Sequence, residues 1–319
     1  MSFGGFLMTN LSKRDFIAIA DYSPEELLEM LELALLLKQE WKTGGNKPVL
    51  KGKSLGMIFQ KPSLRTRVSF EMAMQHLGGY AFYLSPQEIG LGKRESIADV
   101  ARVLAGYVDG IMARVFAHEH VLELARWSDV PVINGLSDYN HPAQGFTDAF
   151  TIYEHFGQVK DINVTFIGDG NNVAVSLMHI VAKLGGNFTW AGPEGYEIPE
   201  KAIEEAKKFA AESGSTLRFL HDPHEAVKDA DVIYTDTWVS MGEEAEAERR
   251  KKVFPPYQVN AALVAEAKPE VVVMHCLPAH RGEEITDEVA DGPHSLLFRQ
   301  AHNRMHAQKA ILARLLGGL

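Results

Sequence analysis

The sequence is poor in cysteine and lacks any segment that would carry it into or across a membrane. Cys276 is the single cysteine in 319 residues, so an intramolecular disulfide is excluded and the reducing cytosol is the expected compartment. The first residues show no basic segment ahead of an apolar run, and no signal peptide is predicted. The densest apolar stretch, residues 31–37, is far shorter than the ~20 residues that span a bilayer. The sequence therefore predicts a cytoplasmic protein with no membrane partner.

Positive charge is also in deficit. Lys and Arg number 32 against 42 Asp and Glu, which gives a net charge of −10. This balance argues against a protein that binds nucleic acid over a large surface, although it allows a local basic pocket for a small anion. Hydrophobic residues make up 46% and charged residues 23%, as in an ordinary globular chain. At roughly 150 residues per domain, the length suggests two domains.

Helical and strand patterns alternate along the whole chain, which predicts parallel sheets flanked by helices. The predicted strands are 54–59, 80–84, 110–113, 130–134, 163–167, 187–191, 216–220, 231–235 and 271–275. The predicted helices begin at a Ser23–Glu26 capping box and near Ser63, and then cover 95–107, 144–156, 172–184, 199–213 and 300–316. The expected fold is α/β, with one domain over 1–150 and a second over 151–299. The periodicity of the last helix does not show which domain it packs on.

The clearest chemical signal is the segment Phe59–Glu71, where a strand ends, the chain turns and a helix begins. Ser63, Arg65 and Thr66 place hydroxyl and guanidinium donors in the first helical turn, where backbone N–H groups lack partners and the helix dipole favours an anion. The segment by itself fits a phosphate-binding turn and an ordinary helix cap with solvated arginines equally well. It is not a P-loop, because no G-x-x-x-x-G-K-[ST] sequence is present.

Seven segments in order resemble the aspartate/ornithine carbamoyltransferase family. They are Ser63-Leu64-Arg65-Thr66-Arg67, Glu95-Ser96-Ile97 leading to Ala113-Arg114-Val115-Phe116, His141-Pro142-Ala143-Gln144, Gly168-Asp169-Gly170-Asn171-Asn172, Asp236-Thr237-Trp238-Val239-Ser240-Met241-Gly242, His275-Cys276-Leu277-Pro278-Ala279 and Asn303-Arg304. The resemblance spans nearly the whole chain. It implies an N-terminal carbamoyl-phosphate domain, a C-terminal domain for the second substrate, a last helix (about 300–319) that returns to the first domain, and a homotrimer.

The resemblance also implies which residues bind carbamoyl phosphate. They are Ser63, Leu64, Arg65, Thr66, Arg114, His141, Gln144, Cys276, Leu277 and Arg304. Leu64 departs from the family's usual Thr, so one hydroxyl contact is lost while the backbone N–H remains. Arg114 ends a short strand, where an exposed guanidinium could reach a ligand. His141 and Gln144 would bind the carbonyl oxygen and the amide of the carbamoyl group, and a cationic donor at that oxygen would stabilise the tetrahedral intermediate.

For the second substrate, the resemblance implies ornithine, bound by Asn172, Asp236, Ser240 and Met241. Asp236 would pair with the δ-amino group, and the transfer would yield citrulline and phosphate. The catalytic set implied is Arg65, Arg114, His141, Asp236 and Cys276. Cys276 would lie beside the attacking amine without forming an acyl-enzyme, because carbamoyl phosphate is already activated.

Alternatives remain open at this stage. Relatives that act on putrescine, N-acetylornithine or aspartate share much of the pattern, and a non-catalytic protein of the same fold is possible. A dinucleotide-dependent oxidoreductase is less favoured, because Val173 occupies the position of the third glycine in a G-x-G-x-x-G fingerprint. No cofactor and no metal site are predicted. The sequence decides neither between a trimer and a larger assembly nor between arginine synthesis and breakdown.

Overall fold

Two compact units make up the chain in this computed structural model, which describes residues 15–240 and 244–319. Of the described residues, the first unit comprises those up to Asp138 together with Met305–Leu319, and the second comprises those within Tyr139–Arg304. Each unit contains one parallel sheet with helices between its strands. The predicted α/β class, with two parallel sheets flanked by helices, is confirmed.

The first unit is built on a four-stranded sheet in the order β2-β1-β3-β4, with every pair parallel. Its strands are β1 (Ser54–Phe59), β2 (Tyr80–Leu84), β3 (Gly110–Arg114) and β4 (Val132–Leu136). Its helices are α1 (Pro24–Lys42), α2 (Leu64–His76), α3 (Pro86–Ile89), α4 (Ile97–Ala105) and α5 (His118–Trp127). The predicted capping box opens α1: the Ser23 side chain accepts from the Glu26 N–H at 3.2 Å, and the Ser23 N–H donates to the Glu26 carboxylate at 2.8 Å.

The second unit is built on a five-stranded parallel sheet in the order β7-β6-β5-β8-β9. Its strands are β5 (Asn163–Ile167), β6 (Asn187–Ala191), β7 (Leu217–Leu220), β8 (Val232–Thr235) and β9 (Val272–His275). Its helices are α6 (Pro142–Phe156), α7 (Asn172–Lys183), α8 (Glu200–Ser213), α9 (Pro223–Val227), α10 (Ala247–Val253), α11 (Ala261–Val264) and α12 (Asp287–Ala290).

A separate apolar core stabilises each sheet. In the first unit, Ile58, Ile111 and Val132 on the strands pack with Val121 and Leu124 of α5. In the second unit, the strands β5, β8 and β9 and the helices α9, α11 and α12 contribute a second buried cluster. These cores fix the strands, and hence the side chains at their carboxyl ends.

The last helix, α13 (Leu297–Leu316), begins in the second unit, and from Met305 onward it belongs to the first. The predicted return of the C-terminal helix to the first domain is therefore confirmed. Over the described residues, no helix is both long enough and apolar enough to cross a bilayer.

Helix α5 was not predicted from the sequence. It begins at His118 after Ala117, which provides no side-chain cap. Its first turn carries His and Glu rather than the Ser, Thr or Asp that would mark a helix start. The helix is nonetheless required, because β3 and β4 are parallel neighbours and need a crossover connection.

Candidate active site

The first cluster of predicted site residues lies where β1 and β3 end side by side. Phe59, the last residue of β1, pairs in register with Arg114, the last residue of β3. The chain runs from β1 to β2 on one side of β1 and then returns to β3 on the other. Ligands of open α/β sheets bind at such a reversal, beyond the carboxyl ends of the strands. The turn before α2 and the Arg114 side chain are therefore placed at one edge of the sheet.

The start of α2 gathers several hydrogen-bond donors at this edge. Ser63 caps the helix, since its Oγ accepts from the Thr66 N–H at 3.3 Å. Arg114 Nη1 lies 3.4 Å from Thr66 Oγ1 and donates to it. The expectation that Arg114 is exposed was wrong: the residue is 7% exposed, because the strand end is covered.

Arg65 and Leu64 complete this group of donors. Arg65 is half-buried, and its guanidinium makes no hydrogen bond or ion pair within residues 15–240 and 244–319. Leu64 is the first residue of α2, so its backbone N–H belongs to the unpaired first turn, whereas its side chain is exposed. A guanidinium and several N–H groups at a helix start form an anion-binding arrangement.

In the second unit, the start of α6 brings Gln144 and Arg304 together. The Arg304 Nη1 donates to Gln144 Oε1 at 2.6 Å, and Gln144 Nε2 donates to Asp148 Oδ1 at 2.7 Å. His141 caps the same helix, and its backbone N–H donates to Ser176 Oγ at 2.8 Å. The His141 side chain is buried. The Gln144 amide and the His141 imidazole thus lie at the start of α6, and the Arg304 guanidinium is bonded to Gln144.

Asp236 follows β8 and is the centre of a second group in this unit. Its Oδ1 accepts from the Cys276 thiol at 3.0 Å and from the Thr237 N–H at 2.8 Å. Its Oδ2 accepts from Asn171 Nδ2 at 2.8 Å. Burial and the neighbouring Asp236 charge raise the pKa of Cys276, so the thiol stays protonated and acts as a donor to the carboxylate.

The turn between β5 and α7 lies next to Asp236 because β5 and β8 are neighbours in the sheet. Asn171 caps α7, with Oδ1 accepting from the Val173 and Ala174 N–H groups, and Asn172 is the first helical residue. A Cβ at Gly170 would lie 2.2 Å from the backbone nitrogen of Ile198, so glycine is required by the close approach of another backbone segment. In a dinucleotide-binding turn this space would be taken by the pyrophosphate, whereas here it is filled by the protein's own backbone, which argues against such a turn.

The segment after Asp236 is described as far as Ser240, which is half-buried. Thr237 Oγ1 donates to the Val239 carbonyl at 3.1 Å and orders this stretch. The predicted ligand Met241 lies outside the described residues.

A buried His–Glu pair supports the loop that carries Cys276 and Leu277. His275 Nε2 lies 2.9 Å from Glu284 Oε1, and His275 Nδ1 accepts from the Leu277 N–H at 2.9 Å. These contacts define the tautomer, in which Nε2 carries the proton and donates to Glu284. Leu277 has φ of +58°, an uncommon conformation for leucine that the hydrogen bond to His275 helps to hold.

Family comparisons match nearly the whole chain. Residues 14–154 match the carbamoyl-P binding domain, and residues 160–315 the Asp/Orn binding domain, of aspartate/ornithine carbamoyltransferase. The chain belongs to the aspartate/ornithine carbamoyltransferase family.

Within this family, the chain is 57% identical to the ornithine carbamoyltransferase of Pyrococcus abyssi, over 98% of this chain and 99% of the relative. It is 56% identical to the anabolic ornithine carbamoyltransferase of Pyrococcus furiosus, over the same shares. The solved structure of the ornithine carbamoyltransferase from Pyrococcus furiosus superimposes with a TM-score of 0.95 and covers 98% of this chain and 100% of its own. The resemblance drawn from the sequence is therefore confirmed.

Three groups of predicted residues in this family member are in direct contact. They are Ser63, Thr66 and Arg114; Gln144 and Arg304; and Asp236 and Cys276. Sequence reasoning missed other residues that hold these groups, namely Asp148, Asn171, His275, Glu284 and Gln300. The contacts of Asn171 with Asp236, of His275 with Glu284 and of Gln300 with Asp148 join residues that are far apart in the sequence or lie in different elements, so no local pattern indicates them.

Two groups of side chains in the described residues bring three possible metal-ligand atoms within 4.8 Å of one another: Asp236 with His275 and Cys276, and His280 with Glu283 and Glu284. In the first group, both ring nitrogens of His275 are already hydrogen-bonded. In the second, Glu284 accepts from His275 and from the His280 N–H. In both groups, side-chain atoms that could bind a metal are already engaged in hydrogen bonds that stabilise the fold.

Proposed function

We propose that this protein transfers the carbamoyl group of carbamoyl phosphate to the δ-amino group of L-ornithine and releases L-citrulline and phosphate. One observation carries the choice of a cationic amine as acceptor: the buried carboxylate of Asp236, held by Cys276 and Asn171 at the carboxyl end of β8. A carboxylate at that position attracts an ammonium group and repels a second carboxylate, such as that of aspartate. The full-length similarity to enzymes named for ornithine supports the same choice.

Carbamoyl phosphate is the donor substrate in this proposal. In the first unit, the hydroxyl groups of Ser63 and Thr66, the Leu64 N–H, and the guanidiniums of Arg65 and Arg114 bind the phosphate. In the second unit, Arg304 adds a further positive charge, and His141 and Gln144 bind the carbamoyl group, with the Leu277 backbone and Cys276 completing the set. Charge-assisted bonds of this kind are the strongest that a site can offer an oxyanion. The match of residues 14–154 to a carbamoyl-P binding domain supports this assignment.

Ornithine occupies the end of the second unit where β5, β8 and β9 finish. Asn172, at the start of α7, and Ser240 bind the α-carboxylate and α-amino groups, together with the backbone of Met241. Asp236 orients the δ-amine. We assign residues up to about 150, with the C-terminal helix, to carbamoyl phosphate and residues 151–299 to ornithine, in keeping with the match of 160–315 to an Asp/Orn binding domain.

The amine must lose a proton before it can attack the carbamoyl carbon. An alkylammonium has a pKa near 10.4, so deprotonation at pH 7.4 costs roughly 4 kcal/mol, and the Asp236 charge adds to that cost. The raised pKa of Cys276 makes the thiol a proton donor rather than an acceptor. The ammonium gives this first proton to solvent before the attack. The attacking nitrogen then carries a second excess proton in the tetrahedral intermediate, and the leaving phosphate takes that proton as the intermediate collapses, while Arg65 and His141 stabilise the oxyanion.

This route predicts a turnover rate that increases with pH. The fraction of neutral δ-amine grows tenfold for each pH unit below 10.4, so kcat should increase steadily between pH 6.5 and 9 at saturating substrates. Initial rates of citrulline formation across this range provide the measurement. A flat profile would show that the attack of the amine does not limit turnover.

The acceptor is tested by a panel of amines. Purified protein with carbamoyl phosphate is offered ornithine, putrescine, N-acetylornithine and aspartate in turn, and each carbamoylated product is quantified. We expect citrulline to form at least about 100-fold faster than any other product. Putrescine lacks the α-carboxylate, N-acetylornithine lacks a free α-amino group, and aspartate carries a second carboxylate that Asp236 repels. Preferential carbamoylation of putrescine, N-acetylornithine or aspartate would overturn the choice of ornithine.

Self-association is part of the proposal. Leu64 and Val68 of α2 and Tyr80 and Phe82 of β2 leave large apolar side chains exposed on the first unit, and we call them the β2 patch. Tyr80 and Phe82 lie with ring centroids 5.9 Å apart, and β2 is an edge strand of its sheet. Exposed apolar groups beside an open edge are typical of an interface, and we propose that the patch contributes to a homotrimer.

The free thiol of Cys276 supports a place in the cytoplasm. The name of the Pyrococcus furiosus relative, which calls it anabolic, supports a role in arginine biosynthesis.

A further inference from the structure

The Gln144 carboxamide is held between two side chains of opposite hydrogen-bonding character. Arg304 is a donor only, so its contact of 2.6 Å must be with the Gln144 carbonyl oxygen. Asp148 lies one helical turn after Gln144 on α6, and its carboxylate accepts from the Gln144 amino group at 2.7 Å. The three side chains are almost fully enclosed, with exposures of 1% for Gln144, 4% for Arg304 and 0% for Asp148. Arg304 and Asp148 together fix the orientation of the amide, with the carbonyl oxygen towards Arg304 and the amino group towards Asp148.

Asp148 is itself held by a side chain of α13, which also bonds residues of β8 and β9. Gln300 Nε2 of α13 donates to the same oxygen, Oδ1, at 2.6 Å and also contacts the Tyr234 hydroxyl at 3.1 Å. Gln300 Oε1 accepts from the His275 N–H at 2.9 Å, which ties the network to the end of β9. A carboxylate with two donors on one oxygen has little freedom to rotate. Burial raises the pKa of Asp148 to about 7, while the donors from Gln144 and Gln300 oppose this increase.

This arrangement leaves the Gln144 carbonyl oxygen with one lone pair beyond its bond to Arg304, since a carboxamide oxygen accepts two hydrogen bonds. A ligand that meets this oxygen must therefore offer an N–H or O–H group. The amino group of a carbamoyl donor meets this requirement, whereas a methyl group in the same place does not. If the amide were reversed, its NH₂ would face the ligand and repel another NH₂.

We propose that Asp148 is a positioning residue that fixes the amide of Gln144 with its acceptor towards the ligand, and thereby selects a carbamoyl phosphate over an acyl phosphate without an N–H, such as acetyl phosphate. The inference rests on the proposed function, in which Gln144 contacts the carbamoyl group. It gives a role to a buried acid of α6 that bonds Gln144 and is not itself among the predicted site residues. A site built to bond an N–H group rejects the analogue that lacks it, because a buried polar atom is then left unpaired.

Asp148→Asn tests this role directly: an asparagine of the same shape can either donate or accept, so the bond from Arg304 is left as the single contact that favours the observed orientation of Gln144. The citrulline assay gives the KM for carbamoyl phosphate, and inhibition of the same reaction gives the Ki values of acetyl phosphate and inorganic phosphate. We expect the KM for carbamoyl phosphate to increase about 10-fold, with both Ki values within twofold of wild type. An unchanged ratio of carbamoyl phosphate KM to acetyl phosphate Ki, or an equal increase in all three constants, would overturn the proposal.

Glu154→Gln is the matched control on the same helix. Glu154 pairs with Arg299 at 2.8 Å and bonds Asn303, so its loss affects the packing of α6 and α13 without touching Gln144. The melting temperature should decrease while the ratio stays at the wild-type value. If the Asn variant fails to fold, Asp148→Ser removes the carboxylate acceptor in a smaller side chain. The ratio of carbamoyl phosphate KM to acetyl phosphate Ki of that variant then tests the proposal in the same way.

A double-variant cycle separates positioning from any direct effect. In a Gln144→Ala background, Asp148→Asn should change the ratio no further, because the amide it orients is gone. A further change in the ratio would show that Asp148 acts by another route. Wild-type protein that neither binds carbamoyl phosphate nor makes citrulline would instead refute the proposed function, whereas active wild type with an unaltered Asp148→Asn ratio refutes the positioning role alone.

Discussion

At the scale of single residues, the chemistry depends on donors and acceptors whose partners are fixed by the fold. Thr66 receives a bond from Arg114, Gln144 from Arg304, and Asp236 from Cys276. Arg65 differs from these, because the described residues offer its guanidinium no acceptor. A half-buried guanidinium in this state is ready to bind an anion without first breaking an ion pair.

Arg65→Ala should therefore remove a donor that is used by substrate alone. We expect kcat to fall about 100-fold, the usual loss for one donor to a developing oxyanion, with the melting temperature unchanged. Arg102→Ala is the control: Arg102 is an exposed residue of α4 paired with Asp99, and its loss should leave turnover within twofold. Near-normal turnover of Arg65→Ala would contradict the phosphate assignment.

Residue roles were predictable from the sequence only where they belong to a contiguous motif. Ser63 and Thr66 lie three positions apart at a helix start, and that spacing alone suggests a cap. The bond from Asn171 to Asp236 joins positions 65 apart, and that from Gln300 to Asp148 joins positions 152 apart. Such pairs are created by strand order and helix packing, and neither is encoded in local periodicity.

At the scale of secondary structure, the site residues lie at the ends of parallel strands and the starts of the helices that follow. The first cluster lies beyond β1 and β3, and the second beyond β5, β8 and β9. Each strand of the described residues overlaps a strand predicted from a short apolar run, because buried parallel strands need apolar residues on both faces. The order of strands was not predicted, since it is set by how the crossovers pack.

Ser63→Ala should weaken both α2 and the binding of phosphate. Loss of the bond to the Thr66 N–H should lower the free energy of unfolding by about 1 kcal/mol and increase the KM for carbamoyl phosphate. Ser96 caps α4 in the same way, with its side chain accepting from the Asp99 N–H at 3.1 Å. Ser96→Ala should cost similar stability with no change in KM, as measured by denaturant unfolding and steady-state kinetics. Equal KM values for the two variants would show that the α2 cap is purely structural.

Helix α13 carries a buried lysine whose charge makes the fold sensitive to pH. Lys309 is fully buried, its Nζ donates to Asn46 Oδ1 at 2.6 Å, and it lies 4.8 Å from the centroid of Trp41. Burial lowers the pKa of Lys309 to about 8. The unfolded chain keeps this proton up to about pH 10.4, so folding releases a proton in this interval and stability increases with pH there.

The free energy of unfolding should increase by about 2 kcal/mol from this group between pH 7 and 9.5. Lys309→Met should abolish that increase, whereas Lys207→Met, which removes an exposed lysine of α8, should retain it. Urea unfolding at the two pH values gives the comparison. The same pH slope in Lys309→Met and wild type would show that Lys309 is not the group responsible.

At the scale of the whole molecule, the two units carry separate sheets, cores and groups of site residues. The first unit also carries the β2 patch, where Tyr80 is 71% exposed. A lone chain would leave this patch in water, and burying it against other copies lowers the free energy of the assembly. This gain in free energy is the physical basis of the proposed homotrimer.

Light scattering after size-exclusion chromatography should give a mass near three times the 35.3 kDa chain, or a multiple of that trimer. The double variant Tyr80→Glu with Phe82→Glu should shift the mass towards the single chain, because two charges replace apolar contacts. Tyr107→Glu alters an equally exposed tyrosine outside the patch and should leave the mass unchanged. A wild-type monomer, or an assembly unaffected by the double variant, would contradict the role of the patch.

The fate of the carbamoyl carbon is the most direct measure of whether this protein transfers the group to ornithine. Purified protein is incubated with ¹³C-labelled carbamoyl phosphate and unlabelled ornithine, and the products are followed by ¹³C NMR and a phosphate assay. We expect the label in the ureido carbon of citrulline, with one phosphate released for each citrulline formed. Phosphate release without labelled citrulline would mean that the protein hydrolyses carbamoyl phosphate and is not a carbamoyltransferase for ornithine.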